Sequence, residues 1–371
     1  MTSSKMPPIK PIRVFDFFSG CGGTSLGFHE SGIEHALAVD SCPDAIGTFK
    51  KNFTGASVIN EPIETVAEED VRSHFSSDPE VRLFCGCAPC QPFTKQKTNS
   101  SQKSSEDNRH GLLGHFSSIV HKCLPDLVFV ENVPGILNVT IEGQTPLSAL
   151  IDQLDQDDYF SDHGVIYAQD YGVPQVRRRL VLVASRLGEI ALPKATHGPN
   201  RPAAYNTVRD AIADLPPIEQ GTEHRDKLQY PNHRAAALSE LNLKRIRKTR
   251  KNGRRDWPDS LLPKCYTAKE NGERYNGHSD CYTRLAWDEP APGLTTRCIS
   301  YSNGRFGHPK QDRALSVREA ARLQGFPDSF EFTGSLASMA RQIGNAVPVP
   351  VAKAFGLHFN NHVNTADQLN G

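Results

Sequence analysis

An apolar, aromatic strand over 12–18 runs without a spacer into Ser19-Gly20-Cys21-Gly22-Gly23 and from there into a helical stretch at 24–31. Glycine lets a backbone turn tightly and approach a ligand closely, and the helix that follows offers unpaired N–H groups to acceptor atoms. A second strand, 35–39, ends on Asp40. That places a carboxylate about twenty residues after the turn, where one can hold the hydroxyls of a ribose. The spacing is not the dinucleotide pattern G-x-G-x-x-G. Even so, a strand, a glycine turn, a helix and a second strand closed by an acid leave few folds open. They call for a parallel sheet with helical connections and an adenosine-containing cofactor at the strand ends.

The alternation continues along the chain. Short β-branched or aromatic runs at 82–87, 127–131, 165–169 and 180–184 are separated by amphipathic stretches, clearest at 43–52 and 146–156. This is the pattern of an α/β protein with a Rossmann-like, mostly parallel sheet. From 185 the texture changes to prolines at 193, 199, 202, 216 and 217 with scattered His, Arg and Asn. Order returns in a short helix at 316–326, ended by Gly325 and Pro327, and in a last helix over about 350–359 beyond the Gly344-Asn345 turn. The change of texture, lasting to about 316, predicts a separate loop-rich domain after the α/β one.

Three segments carry candidate chemistry. The strand at 82–87 leads into Ala88-Pro89-Cys90-Gln91-Pro92-Phe93-Thr94, and the flanking prolines stiffen the turn that presents Cys90 at the carboxyl edge of the sheet. That placement suits a nucleophile, with a buried structural thiol as the alternative. Glu131 closes the next strand as a candidate proton donor, or as a helix cap or ion-pair member. Alternation along 175–179 puts Arg177 and Arg179 on one face, able to clamp a phosphate or a carboxylate. Nine cysteines at irregular spacing point to reduced thiols, and the wide separation of Cys265, Cys281 and Cys298 does not make a zinc site, so no metal is expected.

The chain has 42 Lys and Arg against 42 Asp and Glu, so any surface for nucleic acid must be local. One such place is 241–255, with eight Lys or Arg and no acid, either a solvated helix face or flexible loop, or a phosphate-binding element. No apolar run approaches the ~18 residues of a membrane span, and prolines interrupt the N-terminal segment where a signal peptide needs its apolar stretch. A cytoplasmic protein with no membrane partner is expected.

In order along the chain, FDFFSGCGGTSLGF (15–28), GCAPCQPFT (86–94), FVENVPGI (129–136), QDYGVPQVRRR (169–179), SVREAARLQGFPDSF (316–330) and QIGNAVP (342–348) resemble the blocks of the cytosine-C5 DNA methyltransferases. The resemblance leaves only about 186–294 unmatched. It implies an enzyme that transfers a methyl group from S-adenosylmethionine to C5 of cytosine in a specific duplex DNA sequence, after flipping the base out of the helix and adding a thiolate to C6. Cys90 matches the nucleophile, Glu131 the acid at N3, and Arg179 the contact on the O2 side. Positive potential from Arg177 and Arg179 would favour the thiolate over a free thiol near pKa ~8.5. Phe18, Ser19, Gly20, Gly22 and Gly23 match the cofactor pocket, with Asn345 at the methionine end. Asp40 stands where the family usually has Glu. Ser41 and Pro62 replace an aromatic and an acid used on adenine, so adenine recognition falls to Phe18, Ile63 and backbone groups.

The unmatched segment corresponds to the family's target-recognition domain, and the resemblance implies a catalytic, cofactor-binding domain over 1–187 completed by 340–371, the target-recognition domain over 188–315 and a hinge over 316–339. That gives Arg247, Arg250 and Arg254 a phosphate-positioning role. Thr295, Thr296 and Arg297 resemble the turn that many members use beside the flipped nucleotide, and Gln91 adjoins the nucleophile. The polar stretch 94–114 suits a lid over that base. The resemblance further implies a bacterial or phage-type monomer associated with the nucleoid, with a possible cognate restriction endonuclease acting separately. Two alternatives stay open: the family's tRNA-modifying branch, and a catalytically silent DNA-binding scaffold.

Overall fold

Strand β1 (Ile12–Phe17) owes its place to its side chains. Ile12, Val14, Phe15 and Phe17 are all buried, as a strand covered on both faces of a parallel sheet requires. The computed structural model describes residues 10–89, 111–140, 143–250, 257–263 and 280–370. The chain divides into two compact units: unit 1 comprises 1–167, 178–195 and 347–371, and unit 2 comprises 168–177 and 196–346.

Unit 1 is built on one sheet of β1, β2 (Glu34–Val39), β3 (Ser57–Ile59), β4 (Val81–Gly86), β5 (Leu127–Asn132), β6 (Phe160–Tyr167) and β8 (Arg178–Ser185). Their order is β3-β2-β1-β4-β5-β8-β6. β8 is the one reversed strand, antiparallel to both β5 and β6. The remaining pairings are parallel.

Alternation along β5 separates two cores. Val128 and Val130 join Phe15, Phe84 and Leu180 under α4 (Leu112–Cys123) and α5 (Pro146–Gln156), which contribute Phe116 and Leu150. Phe129 turns the other way and packs edge-on against Phe28 of α1 (Gly23–Glu30) and Phe355 of α10 (Val349–Asn370). A Cβ on Gly27 would stand 2.5 Å from Ala352 Cβ, so glycine is what lets α1 lie directly on α10. Helices α2 (Pro43–Asn52) and α3 (Glu68–Arg72) complete the connections.

Unit 2 has little regular structure. It holds a two-residue parallel pairing of β7 (Gln175–Val176) with β9 (Ala291–Pro292), and helices α6 (Val208–Ile212), α7 (Glu240–Lys248), α8 (Val317–Leu323) and α9 (Leu336–Asn345). Without a wide ladder, its buried carbonyls need other donors, and arginines provide them. Arg318 donates to the carbonyls of Pro231, Pro327 and Phe330, and Arg284 to those of Ile246 and His308. Arg313 forms a buried fork with Glu319 at 2.7 and 2.6 Å.

The structure departs from the sequence reading in four places. α4 begins at Leu112, inside the stretch read as polar loop, because Leu113, Phe116 and Val120 find a core there. β6 starts at Phe160, five residues early, and 168–171 is a 3-10 turn instead of strand. Strand β6 has β8 on one side only, so exposed polar residues interrupt the apolar pattern that the reading relied on. The last helix continues to Asn370, past the apolar run. The basic run opens as helix α7. No described helix is long and apolar enough to cross a membrane.

Candidate active site

β1 stops at Phe17 because Phe18 adopts φ 63°, a left-handed conformation that breaks the strand. The turn that follows is tied to the end of β2. Ser19 N–H donates to the Val39 carbonyl at 3.0 Å and Gly20 N–H to Asp40 Oδ2 at 2.8 Å. The other Asp40 oxygen accepts from Cys42 N–H at 2.8 Å. Burial raises the Asp40 carboxyl, while the two N–H donors work against that rise. Each carboxylate oxygen keeps a lone pair for a further donor.

The cradle has room for a ligand. Gly20 has φ 54°, and a Cβ added there would meet nothing within 4 Å. Gly22 caps α1 at φ 96°, and Gly23 begins the helix. The Ser19 hydroxyl is buried and makes no hydrogen bond among the described residues. Ile63, in a 3-10 turn at Ile63–Thr65, is buried beside the core against which Phe18 packs. An orphaned hydroxyl, an open glycine and a tethered acid fit a ligand with a ribose and an adenine ring.

Beneath this loop lies a group the sequence reading missed. Asp16 is 1% exposed, its Oδ2 accepts from Ser25 Oγ of α1 at 2.6 Å, and burial pushes its carboxyl up to about 7. The signal was an acid between Phe15 and Phe17 in a strand rich in apolar and aromatic residues.

At the carboxyl end of β5, Glu131 is 7% exposed. Arg179, on the neighbouring β8, places its Nε 2.6 Å from Glu131 Oε1, and its Nη1 donates to the Arg178 carbonyl at 2.8 Å. The next residue, Asn132, donates from Nδ2 to the Ala88 carbonyl at 3.2 Å and accepts from Val133 N–H at 2.8 Å. It thereby ties β5 to the segment that leads out of β4. Asn132 was part of a quoted block yet received no role in the sequence reading. Burial pushes the Cys85 thiol well above its ordinary value and those of Cys21 and Cys298 up to about 12, so these three do not supply a thiolate. Cys90 and Gln91 lie outside the described residues.

Arg177 does not share the strand of Arg179, since β8 begins at Arg178. It belongs to unit 2, where it is 5% exposed and donates at 2.8 Å to the carbonyls of both Leu294 and Gly344. These bonds correct the expectation of a free clamp facing a ligand, because two of its donors are spent on backbone acceptors. Gln175 works with it, accepting from Leu294 N–H at 2.7 Å and donating to Gln324 at 2.9 Å.

Thr295 and Thr296 are half-buried and Arg297 is exposed; Thr295 Oγ1 accepts from Arg297 N–H at 3.2 Å. Asn345 is exposed at the last residue of α9. In the basic run, Arg247 and Arg250 are exposed. Arg245 is instead buried, bonded to Leu261 O and Asn242 Oδ1 and stacked over Trp257 and Tyr282. Arg254 lies outside the described residues.

The profile of the C-5 cytosine-specific DNA methylases matches residues 12–360. The chain is 36% identical over 345 residues to the Type II methylase M.HgiDII of Herpetosiphon aurantiacus, covering 92% of each protein. It is 31% identical to the Type II methyltransferase M1.HphI of Haemophilus parahaemolyticus, covering 92% of this chain and 85% of that one. Among solved structures, a prophage-encoded DNA modification methyltransferase from E. coli superposes with a TM-score of 0.71 at 24% identity, over 95% of this chain and 99% of that one.

Proposed function

The chain belongs to the C-5 cytosine-specific DNA methylase family and is a DNA (cytosine-5)-methyltransferase; from that premise we propose that it methylates C5 of a cytosine within one duplex sequence, using S-adenosylmethionine and a covalent bond to Cys90. It acts as the modification enzyme beside a separate endonuclease.

Cytosine C5 is a poor nucleophile. The Cys90 thiolate adds to C6 and pushes electrons toward N3, where Glu131 delivers a proton, and C5 gains enamine character. Once that proton has left, the Arg179 guanidinium 2.6 Å away compensates the carboxylate. When bound, S-adenosylmethionine would supply an electrophilic methyl group, which C5 takes as the methyl–sulfonium bond breaks and leaves a neutral thioether. Ser19 and Gly20 would hold the cofactor at the glycine turn, Asp40 would take its ribose with the lone pairs that Gly20 and Cys42 leave free, and Phe18 and Ile63 would bind its adenine. Asn345 serves its methionine end. Water then takes the C5 proton, the C6–S bond breaks to return the Cys90 thiolate, and N3 gives its proton back to Glu131 as the ring is restored. The base must first leave the duplex, at a cost of a few kcal/mol. Thr295, Thr296, Arg297, Arg247 and Arg250 hold the DNA, and Arg177 acts on the reaction by positioning the 294 and 344 backbone.

The observation that carries this reading is the pair of bonds made by consecutive residues of β5. Glu131 binds Arg179, and Asn132 holds the carbonyl two residues before Cys90. The test is trapping. Bisulfite sequencing of DNA from cells expressing the protein identifies the methylated motif, and a duplex with 5-fluorocytosine at that position is offered with S-adenosylmethionine. The enzyme yields a denaturation-resistant adduct and Cys90→Ser does not. An adduct in the Ser variant, or methyl incorporation into tRNA in place of DNA, defeats the reading.

A further inference from the structure

Within unit 2 a groove of about 640 Å³ opens between the start of α7, the turn after Thr295 and α9. None of its lining residues is Asp or Glu, and two are arginines, Arg297 and Arg341. Both are exposed, and neither guanidinium makes a hydrogen bond or ion pair with a described residue. Arg209, Arg284, Arg313 and Arg322 of the same unit are instead committed to carboxylates or carbonyls.

The asparagine carbonyls between them are already engaged by donors of the protein. Asn242 Oδ1 accepts from Arg245 Nη1 at 3.0 Å; a guanidinium only donates, so the amide hydrogens of Asn242 are the free side. Asn303 Oδ1 accepts from Ser300 Oγ at 2.7 Å and likewise keeps its N–H donors. Ser239 caps α7 by accepting from Asn242 N–H and retains its hydroxyl proton. Beside apolar lining that includes Leu238, Ile299 and Leu336, the groove thus offers donors and positive charge, which suits the oxygens of a phosphodiester and the carbon face of its sugars. At ~30 Å³ per water its volume equals that of about twenty waters, room for a stretch of backbone with its sugars and not just one phosphate.

We propose that this groove seats the sugar-phosphate backbone of the DNA substrate, with Arg297 and Arg341 each pairing with a phosphodiester and fixing grip and register without reading bases. The proposal rests on the DNA-methylase reading and adds to it Arg341, which no motif pointed to.

The test is fluorescence anisotropy with Arg341→Ala and Arg297→Ala on a duplex carrying the methylated motif, a scrambled duplex and a tRNA, over about 50 to 300 mM NaCl. Each variant loses about tenfold in affinity for both duplexes alike, and its log-log salt slope flattens by about one. Arg341→Lys, which keeps the charge, recovers most of the loss. Unchanged thermal midpoints exclude misfolding. Wild-type affinity and slope in both Ala variants overturn the proposal, as does a loss confined to the cognate duplex or to tRNA. A wild-type protein that methylates no DNA, yet binds duplexes through these arginines, overturns the activity reading and leaves the groove standing.

Discussion

Arg179 and Glu131, forty-eight positions apart in sequence, meet across neighbouring strands with Nε 2.6 Å from Oε1, and both side chains are largely buried. In the proposed mechanism the acid that delivers a proton is held in place by the cation that compensates it afterwards.

That geometry separates two variants. Glu131→Gln keeps the shape and loses the transferable proton, so kcat falls by roughly 10²–10⁴-fold while the fold persists. Arg179→Ala leaves a buried carboxylate unpaired and lowers both kcat and thermal stability. Steady-state methylation of duplex DNA and a melting curve check both. A Gln variant with near wild-type kcat would remove Glu131 from the chemistry.

Asp40 is a structural tie and, in the proposed function, a ribose ligand as well. Asp40→Ala strips the acceptor from Gly20 N–H and Cys42 N–H, costing about 1–3 kcal/mol, and weakens S-adenosylmethionine binding by at least tenfold. Calorimetric titration with the cofactor tests this; unchanged affinity contradicts it.

Arg177 is expected to matter through unit 2. Arg177→Met leaves the Leu294 and Gly344 carbonyls without their donor and lowers stability by about 2–4 kcal/mol. Both tryptophans of the chain, Trp257 and Trp287, lie in unit 2, so their fluorescence follows its unfolding in urea. A variant of normal stability with abolished kcat would instead restore the direct clamp.

Acid should weaken unit 2 in two stages. Burial lowers His308 from 6.5 to about 4; Glu319 opposes this, while Arg313, Arg284 and His233 reinforce it. Between those values the unfolded chain binds a proton that the folded one does not, so stability drops as pH falls from 6.5 toward 4, by about 3 kcal/mol in all. Burial raises Glu319, but Arg313 and His308 outweigh it and hold the carboxyl at about 2, so a second loss follows as pH falls below 4.5. Urea midpoints at descending pH should show the first stage in the wild type and a flatter slope in His308→Asn. Equal slopes reject the assignment.

Much of this protein was legible in its sequence. The glycine turn, Asp40, Glu131 and the parallel strands are local features, because a strand announces itself by adjacent apolar residues and a turn by glycine. The tertiary structure decided what the arginines do. Arg177, Arg245 and Arg297 are the same residue type in similarly polar stretches, yet one bonds carbonyls 117 and 167 positions away, one is stacked over two aromatic rings, and one is left exposed. An arginine's donors go to whichever acceptors the fold leaves unsatisfied. Pairings across such distances depend on how loops without periodicity close, as do Asn132 on Ala88 and the groove beside Arg341, and no local pattern encodes that.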